Sequence, residues 1–226
     1  MTRGAKLGIL GGTFNPIHCG HLRAAEEVRE ALELERVILV PSATPPHKQG
    51  AAGDPIAPAA QRLAWVEAAV AGNPGLAADG MEVLRGGRSY TIETVKAIGA
   101  RTAPELPVFA IGWDAFAELG SWREPEALLR LAHFAVMTRP PLSHGSLADW
   151  LPKCARDTFL LAPDGLSARH RAAPSWIRLV EVTALDISSS GVRERLRQGR
   201  SIRYLVPEAV RGAIEESGVY GPPPRR

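Results

Sequence analysis

The chain has 226 residues, of which 45% are hydrophobic and 23% charged, a balance that excludes a disordered chain and a membrane-spanning one. Its formal net charge of +3 suits an anionic small ligand or weak attraction to nucleic acid and does not decide between them. The cysteines Cys19 and Cys154 are isolated in sequence, so no disulfide framework or zinc site is predicted. The length predicts a single domain over residues 1–221 with a disordered tail at 222–226. No signal-peptide pattern opens the chain, so we expect a cytoplasmic protein.

The first chemically informative stretch is residues 11–22, which read GGTFNPIHCGHL. An apolar run at 7–10 predicts a buried strand before it, and apolar residues at helical spacing over 22–34 predict a helix after it. The free N–H groups and dipole of a helix start favour an anion, and His18 and His21 can both face it. The glycines could serve only a tight turn, but strand, glycine pair and HxGH motif together favour a nucleotide phosphate site.

Further along the chain, predicted strands alternate with predicted helices. Strands are expected at 35–40, 80–85, 106–112, 133–138 and 177–182, the last as an edge or final strand. Helices are expected at 22–34, at 58–71, from Thr91 with Ser89 or Thr91 as its cap, at 126–131, after Asp186, and from Pro207 in its first turn. Residues 42–58 are expected to form a long loop, and 141–175 an irregular region with a short helix near 147–154. The alternation predicts an α/β fold with an open, mostly parallel, doubly wound Rossmann-like sheet, helices on both faces and a small C-terminal helical part.

A second chemical stretch, residues 186–196, reads DISSSGVRERL. Serine hydroxyls and free N–H groups at a helix start point one way, and Arg193, one turn inside, can reach back to the same place. The pattern fits a second grip on phosphate. A capped amphipathic helix with surface arginines explains it nearly as well.

Other candidates lie at loops and strand ends. Asp114 follows the predicted strand 106–112, at the edge where open α/β sheets bind ligands, and it could cap a helix or grip a ligand hydroxyl. Trp122 is either a packed corner or a stacking surface. His47 and Lys48 end a proline-stiffened segment, which on its own would be interpreted as a solvated loop.

These stretches together resemble the HxGH nucleotidylyltransferase superfamily and, within it, the bacterial nicotinate-nucleotide adenylyltransferases. The matching segments are GGTFNPIHCGHL at 11–22, PPHK at 45–48, GRSYT at 87–91, GWD at 112–114, SW at 121–122, ISSS with Arg193 at 187–193, and YLVP at 204–207. The first segment and the serine segment are shared by the superfamily, whereas PPHK and SYT narrow the resemblance to pyridine nucleotides.

The resemblance implies transfer of an adenylyl group from ATP to nicotinate mononucleotide, with release of pyrophosphate, in NAD biosynthesis. It implies that His18 and His21 are catalytic, stabilising charge in the transition state, with Mg²⁺ neutralising the ATP phosphates and no side chain assigned to the metal. By the same resemblance, ATP is bound by Gly11, Thr13, Phe14, His18, His21, Ser188, Ser189 and Arg193. The mononucleotide is bound by His47, Lys48, Thr91, Asp114 and Trp122.

Three positions depart from the family pattern. Asn15 replaces a common Asp and is given no catalytic role, Trp113 could crowd the nearby pocket, and Gly191 should slightly weaken its helix start. Alternatives are the same reaction on nicotinamide mononucleotide or phosphopantetheine, and a noncatalytic nucleotide-binding protein. A nucleic-acid binder is disfavoured because no basic stripe interleaved with aromatic residues is present.

Overall fold

The computed structural model describes residues 7–44, 55–138 and 146–221. Its strands are β1 (Leu7–Gly12), β2 (Arg36–Pro41), β3 (Leu76–Ala78), β4 (Val108–Gly112), β5 (His133–Thr138), β6 (Phe159–Leu161), β7 (Ser167–His170) and β8 (Trp176–Glu181). They form one sheet in the order β3-β2-β1-β4-β5-β8-β7-β6. β4 pairs in parallel with β1 and β5, and β5 with β8, whereas β6, β7 and β8 are antiparallel neighbours. The predicted open, mostly parallel α/β sheet is confirmed.

The helices fall between the strands, as the predicted alternation requires. They are α1 (Cys19–Ala31), α2 (Ala59–Val70), α3 (Met81–Arg85), α4 (Thr91–Thr102), α5 (Trp113–Ala117), α6 (Pro125–Leu131), α7 (Leu147–Trp150), α8 (Lys153–Arg156), α9 (Ser189–Arg197) and α10 (Glu208–Glu216). Across the described ranges, none of these helices is long and apolar enough to cross a membrane. Six of them, α1, α2, α4, α6, α9 and α10, match predicted helices, and α7 matches the short helix expected near 147–154.

The described residues divide into two compact units. The first contains residues 7–11, 24–38, 90–138 and 146–183, and the second contains 12–23, 39–44, 55–89 and 184–221. The prediction of a single domain over 1–221 stays a prediction.

The core of the first unit is built on β4, β5 and β8. Its fully or nearly buried side chains include Phe109, Phe116, Leu128, Phe134, Val136 and Ile177. Near-continuous apolar runs of this kind are typical of parallel strands. They hold the strand end at Gly112 in place, from which α5 begins directly.

The core of the second unit is formed by helices and by the turn after β1. α2 packs on α10, and the Trp65 and Tyr220 rings lie 5.9 Å apart. The buried apolar side chains here include Ile17, Val66, Val70, Val192, Val210 and Ile214. The apolar positions of α9 and α10 recur at helical spacing, which is why both helices could be predicted.

The predicted strand at 80–85 is wrong. The strand there is shorter and earlier, at Leu76–Ala78, and Met81–Arg85 is the helix α3. Asp79 accepts a hydrogen bond from the Met81 N–H at 2.8 Å through its side chain, and this local bond favours a helix start. Leu84, which looked like part of an apolar strand, is 85% exposed.

The predicted irregular region at 141–175 is wrong in part. Its described residues form the helices α7 and α8 and the antiparallel strands β6 and β7. Because β7 pairs with β8, the strand predicted at 177–182 is the final strand of the chain and not an edge strand.

Two predictions about helix starts are also wrong. Tyr90 is the residue that precedes α4, and no side chain caps that helix. The Ser89 hydroxyl instead accepts a hydrogen bond from the Ala43 N–H at 2.9 Å, so it is used to hold a neighbouring segment. Pro207 precedes the first turn of α10 rather than lying in it.

Candidate active site

His18 and His21 form a stacked pair at the start of α1, in the second unit. Their ring centroids lie 3.7 Å apart with an interplanar angle of 25°. The His18 backbone N–H donates to Nδ1 of His21 at 3.3 Å. Because Nδ1 is an acceptor, the proton of a neutral His21 ring lies on Nε2, which makes Nε2 a hydrogen-bond donor. The pair therefore fits a role in binding an anion at the helix start.

Gly20 leaves room for the His18 ring, and Gly12 leaves room for the Phe14 ring beside the pair. A Cβ on Gly20 would lie 3.1 Å from the His18 ring and 3.5 Å from the Ile187 carbonyl oxygen. A Cβ on Gly12 would lie 3.0 Å from the Phe14 ring. The HxGH and GG patterns thus have a steric cause, since a larger residue at either position would press on an aromatic ring.

Phe14 also packs on His21. Its ring packs edge-on against His21 with centroids 5.0 Å apart, and the residue is only 2% exposed. Phe14 has a positive φ of 47°, a conformation that is uncommon outside glycine and asparagine. Any direct contact of Phe14 with a nucleotide therefore falls to its backbone.

The serine stretch begins α9, also in the second unit. Ser188 caps the helix, its hydroxyl accepting from the Gly191 N–H at 3.1 Å. The Ser189 hydroxyl donates to the Pro16 carbonyl at 2.9 Å, which ties this helix start to the turn after β1. A Cβ on Gly191 would lie 3.2 Å from the Ser188 hydroxyl oxygen, so the glycine leaves room for the capping bond.

Arg193 reaches back from α9 into the same turn. It is 8% exposed, and Nη1 donates to the Asn15 carbonyl at 2.7 Å. Arg193 is expected from the sequence to reach back to the start of its own helix, and in the structure it bonds to the turn after β1. The bond orients the guanidinium and the backbone of the turn together.

Asn15 is the residue whose importance the sequence did not reveal. Its Nδ2 donates to the Pro55 carbonyl at 3.0 Å, and its Oδ1 accepts from the Ala57 N–H at 3.0 Å and from the Tyr220 hydroxyl. Burial raises the pKa of the Tyr220 phenol, which therefore stays a donor. An Asp at this position would place a carboxylate oxygen, which cannot donate a hydrogen bond, against the Pro55 carbonyl oxygen. This explains why the residue is an amide. No pattern near position 15 could have signalled partners so distant in sequence.

Cys19 is inert in this setting. Its backbone N–H donates to the Leu205 carbonyl at 2.9 Å, and burial raises the pKa of its thiol. A raised pKa disfavours the thiolate, so this environment does not activate Cys19 as a nucleophile.

The first unit carries three of the predicted mononucleotide residues. Thr91 is the half-buried first residue of α4, and Asp114 is exposed in the first turn of α5. Trp122 is half-buried and packs edge-on against Phe109, with centroids 6.3 Å apart. Trp113, which was expected to crowd this region, packs on Trp150 at 5.3 Å.

Comparison with known proteins decides the family. The sequence profile described as cytidylyltransferase-like matches residues 9–195, which contain both the histidine pair and the serine stretch. The chain belongs to the cytidylyltransferase-like family.

Relatives and solved structures agree with this family membership. The chain is 43% identical over 215 residues to a protein of Citrifermentans bemidjiense named a probable nicotinate-nucleotide adenylyltransferase, covering 95% of this chain and 98% of the relative. It is 45% identical over 218 residues to a protein of the same name from Trichlorobacter lovleyi, covering 96% and 100%. In fold it is similar to the Plasmodium falciparum nicotinic acid mononucleotide adenylyltransferase complexed with NaAD, with a TM-score of 0.67 and 16% identity over 95% of this chain and 96% of that one.

The remaining predicted site residues are Gly11, Thr13, His47 and Lys48. His47 and Lys48 lie outside the described residues. Gly11 is exposed, and Thr13 is half-buried with its carbonyl accepting from Nη1 of Arg62 at 2.6 Å. Within the ranges 7–44, 55–138 and 146–221, no group of three or more His, Cys, Asp or Glu side chains is arranged to hold a metal ion.

Proposed function

We propose that this chain transfers the adenylyl group of ATP to nicotinate mononucleotide, giving nicotinate adenine dinucleotide and pyrophosphate. The observation that carries the proposal is the stacked His18–His21 pair at the start of α1, tied through Ser189 to the start of α9. The names of the relatives at 43% and 45% identity supply the acceptor. Two helix starts beside two imidazoles suit a reaction in which a phosphoryl centre gains negative charge.

The reaction needs charge stabilisation more than proton transfer. An oxygen of the mononucleotide 5′-phosphate forms a bond to the α-phosphorus of ATP, and the bond from that phosphorus to the bridging oxygen breaks. The electron pair leaves with pyrophosphate. Because the nucleophile is already an anion, no general base is required, and catalysis rests on alignment and on donors aimed at the phosphoryl oxygens. Nε2–H of His21 is the donor that the hydrogen bond at Nδ1 fixes.

On the ATP side, His18, His21, Ser188, Ser189 and Arg193 would hold the phosphates, with Gly11, Thr13 and Phe14 lining the nucleotide through their backbone. The serine hydroxyls already bond to Gly191 N–H and the Pro16 carbonyl, so the N–H groups of the first turn of α9 would be the direct contacts. Mg²⁺ would enter with ATP and neutralise its phosphate charge.

On the acceptor side, Thr91, Asp114, Trp122, His47 and Lys48 would bind the mononucleotide. Thr91 opens a 12-residue helix, whose N–H groups and dipole favour the carboxylate of nicotinate over the neutral amide of nicotinamide. Trp122 offers a half-buried ring for stacking on the pyridine, and Asp114 an exposed carboxylate for a ribose hydroxyl.

A direct assay tests the acceptor and the activity together. Pyrophosphate release from ATP is measured with nicotinate mononucleotide, with nicotinamide mononucleotide and with no acceptor, and the dinucleotide is identified by mass. We expect release with the acid to exceed release with the amide. Equal or faster turnover of the amide contradicts the acceptor, and binding of ATP without release on any acceptor favours the noncatalytic alternative.

A further inference from the structure

Arg62 is a buried arginine that the sequence did not single out. It lies on α2, in the second unit, and only 1% of its surface is exposed. Nε donates to the Ala57 carbonyl at 2.9 Å, and Nη1 donates to the Thr13 carbonyl at 2.6 Å. Nη2 donates to the Ser42 and Ala43 carbonyls at 2.7 and 3.0 Å. One guanidinium thus binds four carbonyl oxygens.

This cation is compensated by backbone and not by an acid. Within the described parts of the chain, no ion pair joins Arg62 to a carboxylate, and burial lowers the pKa of its guanidinium. An arginine starts from so high a pKa that it stays protonated. A buried charge is costly to desolvate, and an apolar side chain of similar volume could fill the same space. A role in stability alone therefore explains the arginine poorly.

The four carbonyls belong to three separate segments. Thr13 lies in the turn after β1, Ser42 and Ala43 follow β2, and Ala57 precedes α2. The last two segments flank residues 45–54 on either side. A planar guanidinium with five donors in a fixed fork can hold three segments in one geometry, which a flexible ammonium cannot.

Asn15 also holds one of these segments, the one that precedes α2. Its side chain bonds to the Pro55 carbonyl and the Ala57 N–H, so the chain that leaves 45–54 is held at two consecutive places to the turn after β1. Arg62 and Asn15 therefore set the geometry of Thr13–Asn15 together with both flanks of 45–54.

We propose that Arg62 is a positioning residue for adenylyl transfer. It fixes the backbone of the turn after β1 and the two chain segments that flank 45–54, and so it holds the nucleotide turn in the geometry that the reaction needs. The claim that Arg62 affects the reaction rate rests on the proposed function. The claim that Arg62 fixes the three chain segments rests on the four carbonyl bonds alone.

Kinetics of two variants and a matched control test the proposal. Arg62→Met keeps the volume and removes the donors, Arg62→Lys keeps the charge, and Val66→Ala weakens packing on the same buried face of α2. Assays are run well below each melting temperature, with ATP and nicotinate mononucleotide varied separately. We expect kcat/KM to fall at least about 30-fold for Arg62→Met and at least about threefold for Arg62→Lys, since small misplacements slow aligned reactions strongly. Val66→Ala should stay within about twofold despite its lower melting temperature.

A second readout does not depend on the activity. The Ala43 N–H bonds to the Ser89 hydroxyl and the Ala57 N–H bonds to Asn15 Oδ1, so hydrogen exchange at these two amides reports on the segments that Arg62 holds. Relative to the amides in the middle of α4, exchange at Ala43 and Ala57 should be at least about fivefold faster in Arg62→Met than in the wild type, and unchanged in Val66→Ala.

The outcomes separate this inference from the proposed function. If Arg62→Met loses activity only in step with Val66→Ala, and hydrogen exchange at Ala43 and Ala57 is unchanged, Arg62 merely stabilises the fold and the inference is overturned. Should Arg62→Met not fold, wild-type kinetics in Arg62→Lys would overturn it, because charge alone would then suffice. A wild-type protein that releases no pyrophosphate overturns the proposed function, while the exchange ratio still decides whether Arg62 fixes the chain.

Discussion

Two histidines of this chain use the same local chemistry in different places. Nδ1 of His21 accepts the His18 N–H at 3.3 Å, and the two rings stack at 3.7 Å. Nδ1 of His133 accepts the Trp176 N–H at 3.2 Å, and those rings stack at 4.4 Å. In each pair a backbone donor fixes the tautomer and a neighbouring ring fixes the orientation.

The two pairs differ in the end of the strand at which they lie. His133 opens β5 at its amino end, where it is 8% exposed, and burial lowers its pKa to about 4. The His18–His21 pair follows the carboxyl end of β1, where helix starts and ligands meet in open α/β sheets. Stacking and burial are common to both places, so the proposed catalytic role of His18 and His21 rests on their position after the carboxyl end of β1 and on the glycine that accommodates the rings.

The largest expected effect is the difference in activity between variants of His21 and of His133. His21→Ala removes the Nε2 donor, and we expect kcat for pyrophosphate release to fall about 10²–10³-fold, as when one oxyanion donor is lost. His133→Asn keeps an acceptor for the Trp176 N–H and should leave kcat within about twofold. Melting temperatures of both variants show that they are folded. Wild-type turnover in His21→Ala would falsify the catalytic role of the pair.

A second test compares the tryptophans of the first unit. Trp122→Ala should raise KM for the mononucleotide about fivefold with little change for ATP, because one aromatic stacking contact is worth about 1 kcal/mol. Trp176→Ala should lower the melting temperature and leave both KM values unchanged. Trp122→Phe, which keeps a ring, should recover most of the affinity. Equal rises in both KM values for Trp122→Ala contradict the stacking role.

Much of the fold was accessible from the sequence because its signals are local. The apolar run 133–138 is strand β5 at the predicted bounds, and the helical spacing in α9 and α10 placed both helices. The family was accessible for the same reason, since residues 11–22 and 186–196 each carry their pattern in one stretch. The profile match over 9–195 confirms the family.

What the sequence did not reveal depends on distant partners. Arg62 binds the Thr13 carbonyl 49 positions away, and Asn15 accepts from Tyr220 across 205 positions. No local pattern encodes such pairs. The five residues of α3 are too few for apolar periodicity to distinguish a helix from a strand, and the local hydrogen bond that favours the helix start comes from the Asp79 side chain. The assignment of Gly11, Thr13, Ser188 and Thr91 to substrates stays a prediction.

A smaller effect tests the steric reason for the HxGH glycine. Gly20→Ala places a Cβ 3.1 Å from the His18 ring and should lower kcat about 3- to 10-fold by displacing the stacked pair. Gly212→Ala, in α10, meets nothing within 4 Å, so it should leave kcat unchanged and raise the free energy of unfolding by about 0.5–1 kcal/mol. Turnover and urea unfolding of both variants are the measurements. Unchanged turnover in Gly20→Ala would show that the ring position is not critical.

The last test concerns the stability of the fold alone, because the substitution of His133 should leave turnover unaffected. The pKa of His133 is lowered from 6.5 to about 4 by burial, so between these values the unfolded chain binds a proton that the folded chain does not. The free energy of unfolding should therefore fall as the pH is lowered from 6.5 toward 4, by at most about 1.4 kcal/mol per pH unit from this residue. His133→Asn removes the titration, so the stability difference between wild type and variant should shrink in acid, while groups common to both proteins cancel. Urea unfolding of the two proteins at pH 4.5, 5.5 and 7 measures it. A difference that stays constant with pH would mean that His133 is not held neutral, and the contrast between a structural and a functional stacked histidine would then rest on position alone.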